Sequence, residues 1–123
     1  MSVIVRDDGF HADDFAGQSS VEIASDTKPD ALPDVRAADL VVLVFPAFSD
    51  GRGFTLARHL RSAGYRGRLR ARGHVIADQY AMARRSGFDE VEISDDLAAR
   101  QPADQWLFRA DWQANDYRAR LRA

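Results

Sequence analysis

Leu40-Val41-Val42-Leu43-Val44-Phe45 is an unbroken apolar run that leads through Pro46-Ala47-Phe48-Ser49 into Asp50-Gly51-Arg52-Gly53 and then into a helical pattern. Branched and apolar residues with no polar alternation predict a strand buried on both faces. From Gly53 to Ala63, the residues Phe54, Ala57 and Leu60 recur at helical spacing, with Arg58 and Arg61 on the other side and Gly64 placed to close the helix. A buried strand that turns directly into an amphipathic helix is the first half of a crossover unit, so this junction decides the fold class.

The pattern repeats downstream. Gly67 to Arg72 reads as a strand with Leu69 and Ala71 on one face and Arg68, Arg70 and Arg72 on the other. Val75, Ile76, Gln79, Met82, Ala83 and Gly87 mark a second helix, and Phe88 to Ile93 supplies a third strand. Strand, helix, strand, helix, strand at this spacing predicts a small parallel sheet built from two right-handed βαβ crossovers.

Upstream, Ser2 to Arg6 and Val21 to Ala24 read as short strands forming a small hairpin or lead-in. Residues 25–38 contain Pro29 and Pro33 and are expected to be a linker with at most one helical turn, from Pro33 to Ala38. Downstream, Asp95 to Arg100 and Gln105 to Arg109 suit helical turns on either side of Pro102, and Asp111 to Leu121 suits a longer helix. Trp106 and Phe108 are expected to dock this tail on the sheet as a cover. The expected organisation is a single α/β domain: a β lead-in and linker over 1–38, a βαβαβ core over 39–93 and a helical tail over 94–123.

With 123 residues, 46% of them hydrophobic, the chain suits one core. The first eight residues lack the apolar stretch of a signal peptide, and the longest apolar run is far short of the roughly 20 residues that span a bilayer. A cytoplasmic location is expected. Cysteine is absent, which excludes disulfides, thiol redox chemistry, attached c-type haem and cysteine-ligated iron-sulfur clusters. Any redox role would need a borrowed cofactor, and none intrinsic is predicted.

Net charge is only −2, but it is unevenly spread. Residues 1–48 hold nine acidic and three basic side chains, residues 49–85 two and nine, and residues 86–123 eight and five. The basic middle favours an anionic ligand or an acidic partner surface. Alternatively, Arg58, Arg61, Arg66, Arg68, Arg84 and Arg85 only solvate the outer faces of helices and a strand. Few aromatic residues interleave the basic ones, so no nucleic-acid partner is expected.

In a parallel sheet the loops leaving the strand carboxyl ends share one rim, and ligands bind there. That rule gathers Asp50, Arg52, His74, Ser94 and Asp95, with Asp78 about 6 Å of helical rise beyond His74. Asp50 or Ser49 also suits the cap of the first helix. Gly51 and Gly53 suit a tight turn with positive φ, or a backbone anion cradle beside Arg52. His74 fits either a backbone-bonding role before the second helix or proton transfer. Asp78 and Gln79 fit bonds to the loop after the first strand. No spacing of histidines and carboxylates makes a metal motif.

Phe45-Pro46, Phe48, Asp50-Gly51-Arg52-Gly53, Ala57-Arg58, Leu60-Arg61, Tyr65, Gly67, Leu69-Arg70-Ala71, Gly73, Asp78-Gln79 and Gly87-Phe88-Asp89 together resemble the small bacterial proteins grouped as domain of unknown function 934. Members of that family are commonly labelled probable oxidoreductases of sulfite reduction. The sequence departs from the family at His74, where many relatives carry an acidic residue, and at Ser86, where many carry cysteine. Neither is therefore an indispensable family catalyst, which moves the weight to Asp50, Arg52, Arg70 and Asp78, with Gly51, Gly53, Arg58, His74, Gln79 and Asp95 as further candidates for binding an anion or a partner.

Three functions are compatible with this resemblance. The favoured expectation is an accessory protein of assimilatory sulfite reduction that docks on the sulfite reductase or its electron donor. The alternatives are a small oxidoreductase or oxyanion-acting enzyme with its site at the rim, and an anion-binding sensor of sulfur status. A homodimer is also expected, because a three-stranded parallel core leaves edges and an apolar face to cover.

Overall fold

In the computed structural model, which describes residues 2–15, 17, 19–47 and 51–108, the described residues form one six-stranded sheet with the described helices on one side. The strands are β1 (Ser2–Arg6), β2 (Gly9–His11), β3 (Ser20–Ala24), β4 (Leu40–Phe45), β5 (Arg68–Gly73) and β6 (Glu90–Ser94), and their spatial order is β2-β1-β6-β5-β4-β3. From β3 to β6 they run parallel, whereas β1 is antiparallel to both β6 and β2. The helices are α1 (Arg52–Ser62), α2 (Tyr80–Ser86), α3 (Asp95–Arg100) and α4 (Ala103–Leu107).

The α/β class and the βαβαβ core follow the sequence pattern, and the sheet extends further than that core. Val21 to Ala24 does not pair with Ser2 to Arg6. It lies beside β4 as a parallel strand, in register from Ser20 opposite Leu40 to Ala24 opposite Val44, and so adds a third crossover. The hairpin partner of β1 is the short β2. The expected turn at Pro33 to Ala38 is replaced by a 3-10 turn at Pro29–Ala31, where a proline at the first helical position supplies a suitable φ.

Alternation along the strands divides the sheet into two unlike faces. Val5, Ile23, Val41, Leu43, Phe45, Leu69, Ala71, Val91 and Ile93 point to the helices and join Phe54, Leu56, Leu60, Tyr80, Leu97 and Trp106 in one buried cluster. Gly53 is what lets α1 settle: a Cβ there would lie 2.4 Å from the Phe45 ring. The helix ends as its glycine forecasts, with Gly64 at φ 101° and the Tyr65 N–H donating to Leu60 O. The second helical segment is shorter than its periodicity suggests, a 3-10 turn at Ala77–Gln79 running into α2, which Gly87 closes at φ 115°.

In the tail, Trp106 is buried edge-on against Tyr80, with ring centroids 6.0 Å apart, but Phe108 is 78% exposed. Two residues along a helix turn a side chain about 200°, so α4 docks one of the two expected aromatics and not the other. The expected helix from Asp111 to Leu121 lies outside the described residues.

The opposite face is ionic. Arg6, Arg68, Arg70 and Arg72 alternate there with Glu90 and Glu92 on the neighbouring strand, around buried Ile4, Leu40 and Val42. Because β2 and β3 occupy opposite edges, residues 12–19 must cross the sheet, a width of about 24 Å at about 4.8 Å per strand. The nine steps from His11 to Ser20 reach at most about 30 Å, so this strap is nearly taut. It crosses on the ionic face, where Asp13 accepts from Arg70 at 3.1 and 3.2 Å and Asp14 accepts from Arg6 at 2.6 Å and Arg68 at 2.7 Å. Asp13 and Asp14 thus tie the strap to the arginines of this face.

Candidate functional site

The arginines of the basic middle segment fall into distinct groups. At the amino ends of β5 and β6, Arg61 reaches from α1 and donates to Gly87 O at 2.9 Å, Tyr65 O at 3.0 Å and Gly67 O at 2.8 Å, and pairs with Asp89 at 2.9 Å. Asp89 in turn accepts from the Leu69 N–H at 2.9 Å. The Tyr65 hydroxyl lies 3.2 Å from Ala38 O and 3.0 Å from Arg68 O, which ties in the start of β4. Gly87 leaves room for this arginine, since a Cβ there would come 2.6 Å from Arg61 Cγ.

Arg70 belongs to the ionic face and is only 2% exposed. Its Nε donates to Glu90 at 2.5 Å, and its terminal nitrogens reach Glu92 at 2.9 Å and Asp13. Burial opposes its charge, but the bonds to Asp13, Glu90 and Glu92 outweigh burial and raise its pKa above the ordinary arginine value. Glu90, also 2% exposed, accepts further from Arg6 at 3.2 Å and Arg68 at 2.9 Å. Among the described residues no buried side-chain polar atom lacks a partner. Arg70 therefore sits inside a satisfied network. The alternative in which Arg61, Arg68 and Arg84 merely solvate outer faces also needs correction: these residues bind internal carbonyls and carboxylates, while Arg58, Arg66 and Arg85 lie exposed.

The rim at the strand carboxyl ends is more open. His74 follows β5 with its backbone N–H donating to Phe45 O at 2.9 Å, and Gly73 before it has φ 113°, where a Cβ would lie 2.5 Å from that same oxygen. His74 is exposed and stands three residues ahead of the next helical turn, so it does not cap it. Gly73, His74, Ser94, Leu97 and Arg100 line a small cleft of about 120 Å³. Ser94 caps α3 by accepting from the Leu97 N–H at 3.2 Å, with exposed Asp95 beside it. Further along, Arg52 lines two adjoining clefts with Ser25 and Asp26.

Other expectations divide. Asp78 is exposed but borders a separate cleft with Asp104, Gln105 and Phe108, so it does not join His74 and Ser94. Gln79 closes its own turn, accepting from the Ile76 N–H at 3.0 Å. Gly51 has φ −84° and open space around its α-carbon, and Gly53 lies within α1, so neither supplies a positive φ. Close approach to Phe45 explains Gly53, and nothing in the structure explains Gly51. Arg58 lies on the exposed side of α1, and Asp50 is outside the described residues.

The sequence reading missed Ser25, Asp26, Lys28 and Arg100. The first three follow a strand that was read as a lead-in; reading it as parallel would have placed its outgoing loop on the rim. Among the described residues no group of histidines and carboxylates is arranged to hold a metal ion, and no helix is long and apolar enough to cross a membrane.

A family model described as a bacterial protein of unknown function, DUF934, matches residues 20–121. The chain belongs to this family. No curated protein and no solved structure matches it. The DUF934 match takes in β3 to β6, the Arg61 network, Arg70 with Glu90 and Glu92, and the rim clefts, and begins after β1, β2 and the partners Arg6, Asp13 and Asp14.

Proposed function

We propose that this DUF934 chain is a cytoplasmic accessory protein of assimilatory sulfite reduction, without a cofactor of its own, that docks on the sulfite reductase or its electron donor. The observation that carries this reading is the use made of the residues behind the resemblance. Arg61, Tyr65, Arg70 and Asp89 all have partners within the scaffold. Side chains that hold a fold together in this way favour a rigid body presenting a surface over a catalytic constellation. The family's label supplies the pathway.

Growth of a deletion strain on sulfate, sulfite or sulfide as sole sulfur source tests this. Rescue by sulfide alone, with recovery of the reductase in a pull-down, is the expected result. Normal growth on all three removes the pathway reading. The small cleft beside His74, Ser94 and Arg100 favours a second reading, an oxyanion site at the rim. Sulfite that raises the melting temperature without turnover would make the protein a sensor, and turnover would make it an enzyme.

A further inference from the structure

Two clefts at the strand carboxyl ends share Ser25, Asp26 and Arg52. One, of about 360 Å³, lies between the start of the β3–β4 crossover and α1, against Pro29, Thr55 and Leu56, with Lys28 also lining it. The other, of about 250 Å³, runs on to Val44 and Pro46. Sites for small organic ligands are usually clefts of about 300–1,000 Å³ with mostly apolar walls and a few charged groups that fix orientation. The depression lies outside the carboxyl ends of β3 and β4.

Its chemistry narrows the ligand. Two prolines and a leucine offer flat carbon surfaces suited to a planar ring. Arg52 and Lys28 are two cations, and a guanidinium matches the paired oxygens of a phosphate. Among the described lining residues Asp26 is the acidic one beside these two cations, and it accepts hydrogen bonds only. A long polyphosphate would meet that carboxylate, whereas a single phosphate with a sugar hydroxyl directed to it would not. We propose that this depression binds a nucleoside monophosphate, with its base on the Pro29 and Leu56 side, its phosphate on Arg52 and Lys28, and a ribose hydroxyl donating to Asp26. The site goes beyond the docking role and does not depend on it.

Calorimetric titration of the full chain with AMP, and in parallel with adenosine, inorganic phosphate and ATP, tests the assignment. AMP is expected to bind at least tenfold more tightly than each of the other three. Arg52→Ala should weaken AMP about tenfold and leave adenosine unchanged, and Thr55→Glu should weaken both. Arg52 and Thr55 are exposed, so unchanged circular dichroism and melting should accompany these losses. The proposal is overturned if AMP gives no binding at millimolar concentration, if phosphate or ATP binds as well as AMP, or if either variant keeps the wild-type AMP affinity. A sulfur-source growth phenotype without AMP binding would remove the site while leaving the docking role intact.

Discussion

At the amino ends of β5 and β6, Arg61 satisfies three backbone carbonyls and one carboxylate, while at the carboxyl ends of the same sheet Arg52 and Arg100 border clefts. The residue type is the same and the outcome opposite. The loops before β5 and β6 converge on Arg61 with three carbonyls aimed at one point, a geometry that a planar five-donor group fills well. At the rim, Arg52 and Arg100 line openings between the outgoing loops and the helices. A cluster of arginines in sequence therefore does not mark a ligand surface by itself. The backbone decides which of them become scaffold.

If this contrast holds, substitutions should separate by location. Arg70→Ala should have the largest effect, about 4 kcal/mol, because it leaves Glu90 buried without its closest partner; urea unfolding with an unchanged m-value would measure it. Arg61→Ala should cost about 3 kcal/mol by leaving several carbonyls unsatisfied, and a loss as small as that of an exposed pair would break the claim that the amino end is a knot. Gly73→Ala should cost about 2 kcal/mol, from positive φ and the approach to Phe45 O.

Acid should act on the strap. The bond from Arg70, followed by the Phe15 N–H, lowers the pKa of Asp13, and Arg6 and Arg68 hold Asp14 well below the carboxylate range. Groups depressed by folding stabilise the protein above their unfolded values, near 4, and lose that contribution as pH falls through the folded values. Melting temperature should therefore fall below about pH 4, and fall less steeply in Asp13→Asn/Asp14→Asn. Arg52→Ala should change stability by less than about 0.5 kcal/mol, as expected for an exposed side chain. A larger loss would show that the rim also bears on the fold.

Much of the helix-facing half was legible in the sequence. Leu40 to Phe45 announced β4, Phe54, Ala57 and Leu60 the helix beside it, and Leu69 and Ala71 the next strand, because local periodicity reports burial directly. The alternation of Arg68, Arg70 and Arg72 was equally visible. Its meaning was not, because that depends on register: only pairing of β5 with β6 sets Arg70 opposite Glu90. The strap was hidden for the same reason, since nothing local in Asp13-Asp14 states that β2 and β3 lie at opposite edges. At the rim, Arg52, His74 and Ser94 followed from strand direction alone, and Ser25, Asp26 and Lys28 did not, because Val21 to Ala24 gives no local sign of the strand it pairs with.

The order in which the strands are made bears on how the sheet is completed. Among the described strands β1 stands first in the sequence and β6 last, yet they are neighbours, paired from Ser2 opposite Ser94 to Val5 opposite Val91. The Arg84 link to Asp7 also joins residues far apart in the chain. Contacts of such separation delay folding, because a long loop must close before they form. An amino-terminal fragment that stops before Glu90 keeps β3, β4 and β5 adjacent but has no strand on which β1 and β2 can dock. During synthesis, β1 and β2 must wait for β6 to emerge before they find their place on the sheet.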